Sequence, residues 1–127
     1  MPWSRDRPAM SIPHYQAPSD LQFAPALLRH APQEGQAFLA LKAAAERTDG
    51  QIPEKYRELI SVAVALSTQC AYCIELHTRQ AAAAGATPEE IAEVSFITAA
   101  LKAGAAVGHG LLAMRLFEAA RAAELPR

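Results

Sequence analysis

The sequence predicts an all-α protein: a single-domain helical bundle of five to six helices. Three observations carry that reading. Alanine is abundant and long β-branched runs are few, which favours helix. Apolar residues recur at helical spacing, as in Ala37, Phe38, Leu41, Ala44 and Ala45. Helix start and stop signals punctuate the chain at short intervals, and nothing reads as a pair of strands.

The elements follow in order. Residues 1–20 are rich in proline and polar groups and read as an extended N-terminal arm; residues 21–127 form the helical domain. Ser19-Asp20 offers a cap for a short helix from Leu21 to His30. Pro32 suits the first turn of a second helix, through about Arg47, and Asp49-Gly50 ends it. Pro53 opens a third helix to about Leu66, with Glu54 where the helix dipole favours an acid. Ser67-Thr68-Gln69 reads as a break. A fourth helix runs from near Cys70 to Gly85, a residue suited to a helix C-terminus. Thr87-Pro88-Glu89-Glu90 is a capping box opening a fifth helix to about Ala103. A sixth spans about Ala105 to Ala122. The small residues Ala81 to Ala84, Gly104, Gly108 and Gly110 would let helix backbones approach closely, and Phe23, Phe38, Phe96 and Phe117 read as core.

Length and composition set bounds. The chain has 127 residues, one domain's worth, with 12 basic and 13 acidic side chains. No basic block points to nucleic acid, and aromatics are too sparse for base-stacking platforms. The longest uncharged run, Leu59 to Ile74, is too short to span a membrane. Met1 to Pro8 lacks the apolar segment of a signal peptide. The expectation is a cytoplasmic protein, where thiols stay reduced and a close cysteine pair is catalytic or metal-binding more often than structural. Two cysteines make no disulfide framework.

Both cysteines lie in Cys70-Ala71-Tyr72-Cys73-Ile74-Glu75-Leu76-His77. At about 100° per residue, Cys73 lies roughly 60° from Cys70 around a helix, and His77 within roughly 20° of Cys70. Two thiols and an imidazole thus share one face. With Cys70 at a helix start, free backbone N–H groups and the dipole would favour a thiolate; the alternative is a buried apolar pair. His77, at i,i+4 from Cys73, can take a thiol proton; a lone helical histidine is otherwise structural or solvated. Glu58 is the last charge before the uncharged run. It reads either as a partly buried carboxylate suited to a proton relay or as a boundary residue paired with Arg57 or Lys55. Glu75 would pair with Arg79. His109, between Gly108 and Gly110, reads as a structural histidine or else as lining a cavity or interface, and His14 and His30 carry no motif.

Glu58, eleven intervening residues, Cys70-x-x-Cys73, three residues and His77 resemble the core signature of the AhpD-like alkylhydroperoxidases, within the carboxymuconolactone decarboxylase superfamily. The resemblance covers about Ile52 to Gly85. It implies an all-helical fold, a homotrimer or homohexamer with sites near subunit contacts, no cofactor and no metal. It further implies antioxidant thiol peroxidase chemistry on a small peroxide. By that resemblance Cys73 is the peroxidatic nucleophile and Cys70 resolves it as a Cys70–Cys73 disulfide. His77 and Glu58 form the proton relay, and a lipoyl- or thioredoxin-type dithiol is the reductant. The best-characterised members carry a second histidine directly before the second cysteine. Here that position is Tyr72, a possible auxiliary whose phenol donates a hydrogen bond but is a poor base at neutral pH.

Three other readings stand beside this one. Cys70, Cys73, His77 and Glu58 suit zinc, although no second ligand pair exists. His77 and Glu58 would also serve an acid–base decarboxylase or isomerase acting on a small cyclic acid, with the cysteines incidental. An oligomeric scaffold whose thiols merely sense oxidants is the fourth reading.

Overall fold

The computed structural model describes residues 15–124. The described chain is helical throughout: a 3-10 turn over Pro18–Phe23, then α1 (Ala24–His30), α2 (Pro32–Ala45), α3 (Glu54–Thr68), α4 (Ala71–Ala83) and α5 (Pro88–Glu124). These fall into two compact units, one ending at Ala45 and one beginning at Glu46. Most of the proposed arm, and His14, lie outside the described residues.

In the first unit α1 packs on α2. Its entry differs from the expected one. Asp20 does not cap a helix beginning at Leu21; its Oδ2 accepts from the Ala17 N–H at 2.8 Å, closing the 3-10 turn. The α-helix proper starts only at Ala24, with Pro25 in its first turn.

The second unit holds the sequence signature, and α3 is its centre, packed on both α4 and α5. Leu59, Val62 and Ala65 of α3 and Ala81 of α4 form its buried apolar core, with Val62 1% exposed. The helix runs through Ser67 and Thr68 because their neighbourhood stays helical; the Thr68 hydroxyl donates back to the Val64 carbonyl at 2.8 Å. The break comes at Gln69, which takes the left-handed conformation at φ 57°. Gly85 does the same after α4, at φ 88°.

The capping box at the start of α5 forms as the sequence predicts. Thr87 N–H donates to Glu90 Oε2 at 3.0 Å and Glu90 N–H to Thr87 Oγ1 at 3.2 Å. Glu90 also accepts from Lys55 Nζ at 2.8 Å, tying the first turn of α5 to the first turn of α3. The bond from Lys55, and then that from the Thr87 N–H, hold the Glu90 carboxyl below its usual range. The same bond to Glu90 raises Lys55 above 10.5.

Three expectations fail here. The fifth and sixth helices are one helix of 37 residues, about 55 Å long. Gly104 does not stop it. A single glycine costs a helix only about 1 kcal/mol relative to alanine, and no proline or capping residue follows. Nor do the glycines mediate close packing within the chain: a Cβ built on Gly104, Gly108 or Gly110 meets nothing within 4 Å. The phenylalanines are not core either. Phe23, Phe38, Phe96 and Phe117 are between 59% and 77% exposed. Helical spacing identifies an apolar face but not what covers it. By length and composition α5 is also apolar enough to cross a membrane, and almost none of that stretch is buried within the chain.

Candidate functional site

The cysteines sit where α3 hands over to α4. Cys70 is the N-cap of α4, in extended conformation, and its Sγ accepts from the Cys73 N–H at 3.3 Å. That geometry follows from the turn at Gln69, which ends α3 and leaves the first N–H groups of α4 pointing at the Cys70 side chain. Cys70 and Cys73 are joined as a disulfide, with their Cα atoms 5.2 Å apart. Both are half-buried. Tyr72, between them, is also half-buried and has an interaction partner.

One helical turn beyond Cys73, His77 is buried. Helical side chains lean toward the N-terminus, so the ring inclines toward the turn that carries the disulfide. Its Nδ1 lies 2.8 Å from Glu58 Oε2. Glu58 is itself buried, at 6% exposure, so of the two readings open for it the structure shows the buried one. Of its sequence neighbours, Lys55 donates to Glu90, and Arg57 Nη2 donates to the Ile52 carbonyl at 3.3 Å. A buried carboxylate is costly unless paired and hydrogen-bonded, and His77 supplies that bond from a different helix. A carboxylate only accepts, so Nδ1 carries the hydrogen and Nε2 faces the other way.

The other candidates separate from this centre. Glu75 pairs with Arg79 at 2.7 Å, as its i,i+4 spacing predicts. His30 and His109 are exposed. Among the described residues no group of three or more His, Cys, Asp and Glu is placed to hold a metal ion.

One residue escaped the sequence reading. Glu46, in the turn that follows α2, places Oε1 3.7 Å from His77 Nε2. A signal for it existed. An acid at the C-terminal end of a helix opposes the macrodipole, and Glu46 stands directly after the last residue of α2.

A disulfide spanning a helix start, beside a buried histidine–carboxylate pair in an all-helical unit, defines a class of small helical proteins built around Cys-x-x-Cys. The chain belongs to the carboxymuconolactone decarboxylase family, whose model matches residues 32–116. It is 42% identical over 82 residues to "Uncharacterized protein 4 in cox locus" of Paracoccus denitrificans, covering 65% of this chain and 73% of that one. An uncharacterized protein of Cupriavidus necator is 36% identical over 86 residues, 68% of this chain and 75% of its own. Two crystal structures are similar, each at 30% identity. A protein from Methanobacterium thermoautotrophicum superposes with a TM-score of 0.63, covering 72% of this chain and 98% of that one. A carboxymuconolactone decarboxylase family protein from Legionella pneumophila gives 0.58, with 79% and 89% covered.

Proposed function

We propose that this chain is a thiol-dependent peroxidase, reducing small hydroperoxides through the Cys70–Cys73 dithiol. The observation that carries the reading is the disulfide at the α4 N-terminus, one turn from the buried His77–Glu58 pair. In the reduced protein the Cys73 thiol passes its proton to His77, whose ring Glu58 holds in place. The thiolate attacks the terminal peroxide oxygen. The O–O bond breaks, the alcohol leaves with the relayed proton, and Cys73 becomes a sulfenic acid. The Cys70 thiol displaces water from that sulfenic acid and the disulfide closes. An external dithiol of lipoyl or thioredoxin type then returns both sulfurs to thiols and leaves as its own disulfide. Such a cycle belongs in a reducing compartment, the cytoplasm, and its role there is antioxidant. The decarboxylase reading has the family's name in its favour. Serine at both cysteine positions separates the two, sparing an acid–base activity and ending peroxide turnover.

The test is a count of free thiols on the reduced protein, with intact mass, before and after one equivalent of tert-butyl hydroperoxide. The expected result is loss of both thiols and of the mass of two hydrogen atoms. Two thiols that survive the peroxide unchanged overturn the reading.

We also propose that the working form is a homotrimer or homohexamer. The support is α5, whose C-terminal half exposes Val107, Leu111, Met114 and Phe117, each 59% or more, far beyond what an isolated surface helix shows. Further copies of the chain would cover it. Light scattering in detergent-free buffer should give three or six times 13.6 kDa. A monodisperse monomer overturns this assembly, and protein soluble only in detergent assigns α5 to a membrane instead.

A further inference from the structure

The imidazole of His77 has a carboxylate at each nitrogen. Glu58, with an 8% exposed side chain, takes Nδ1; Glu46, 30% exposed, faces Nε2 from the turn after α2. We propose that Glu46 is a second positioning residue of the relay, receiving the Nε2–H bond that forms when His77 accepts the thiol proton. The inference rests on the peroxidase reading above for its chemistry, but the contact itself is independent of that reading.

The argument begins with the ring. Nδ1–H is directed into Glu58 at 2.8 Å, so the lone pair that can accept a proton is on Nε2. A proton leaving Cys73 therefore arrives at Nε2. The S–H bond breaks, an N–H bond forms, and a thiolate and an imidazolium result. The new N–H then needs an acceptor, and Glu46 Oε1 stands 3.7 Å from it. That is ion-pair range and just beyond a hydrogen bond. A small closure or a bridging water completes it, and catalytic contacts commonly tighten only as the reaction proceeds. Glu46 remains a carboxylate throughout, and the proton leaves Nε2 for the alkoxide released when the O–O bond breaks.

The two carboxylates suit different tasks. Glu58 is buried on a helix and fixes the ring. Glu46 is on a turn and partly exposed, so water can reach its side of the ring. Among the charged groups carried by the elements around His77, Glu75 pairs with Arg79 on α4, Lys55 of α3 with Glu90 of α5, and Arg57 of α3 donates to the Ile52 carbonyl; Arg47, beside Glu46, lies 3.7 Å from Asp49.

The experiment compares wild type, Glu46→Gln and Glu46→Asp, all reduced, in single-turnover oxidation by tert-butyl hydroperoxide across pH. Nitrogen NMR of the His77 ring is recorded on the same samples. Glu46→Gln should slow thiol oxidation by about two- to fivefold, the range of a partly exposed ion pair, and change its pH–rate profile. It should also speed exchange of the Nε2 proton with solvent. Glu46→Asp should recover part of both, and it carries the test alone if Glu46→Gln does not fold. If wild type reacts but both variants match it in rate, profile and nitrogen signals, Glu46 has no part in the relay. If wild type fails to react, the peroxidase reading falls, and the NMR comparison still decides whether Glu46 holds the Nε2 proton.

Discussion

Cys73→Ser should abolish reaction with an organic hydroperoxide, because a serine hydroxyl cannot become a sulfenic acid, whereas Cys70→Ser should still react once and stop. In the second variant no thiol remains to displace water, so Cys73 should carry a sulfenic acid, seen as the mass of one added oxygen atom and trapped by dimedone. The asymmetry follows from where the two sulfurs sit. Cys73 is in the first turn of α4, one turn before His77, and so has a proton acceptor within its own helix. Cys70 is the N-cap, already accepting the Cys73 N–H. Its sulfur is therefore well placed to meet Cys73. An N-cap thiol is, however, also favoured as a thiolate by the dipole. If Cys70→Ser silences the protein and Cys73→Ser traps the sulfenic acid, the dipole outweighs the histidine and the two roles are exchanged. If neither substitution matters, the thiols are not the reactive groups.

What the sequence discloses about this molecule divides by range. Short-range features are legible because they repeat along the chain. The capping box at Thr87–Glu90, the i,i+4 pair of Glu75 and Arg79, and the nearness of Cys70 to Cys73 all depend on residues within one or two helical turns. Helix boundaries are legible to within a residue or two where a special backbone conformation marks them, as at Gln69 and Gly85. They fail where the marker is only compositional: Gly104 looked like a stop and is an ordinary helical residue. Contacts between elements are not written in periodicity. Glu58 and His77 lie 19 positions apart, and only the resemblance to a known spacing brought them together. Glu46 has no motif at all, so its approach to His77 needed the fold. The exposed phenylalanines mark a further limit, since an apolar face says that burial is favourable without saying whether the same chain supplies the cover.

Removing Glu58 should produce the largest loss of stability of any single change at this site. Glu58→Ala leaves His77 buried without its acceptor and opens a gap one helical turn from the buried Val62. Breaking one partner of a buried pair costs about 3–5 kcal/mol, a large share of the ~5–15 kcal/mol that holds a domain folded. Glu58→Gln should cost much less, because its carbonyl still accepts the Nδ1 hydrogen and its volume is unchanged. The double variant Glu58→Leu/His77→Phe separates structure from chemistry. An apolar pair of similar volume often matches or exceeds a buried polar pair in stability, so it should recover much of what Glu58→Ala loses while oxidising its thiols no faster than a protein without a relay. Urea midpoints at fixed protein concentration measure the first quantity, and single-turnover thiol loss the second. A Glu58→Ala variant within about 1 kcal/mol of wild type, the worth of an exposed ion pair, would mean that water reaches this contact in solution. A double variant that keeps full thiol reactivity would mean that Cys73 ionises without His77. The stability of the pair and its use in catalysis are thus separate quantities: the bond between α3 and α4 holds the helices together whether or not a proton ever crosses it.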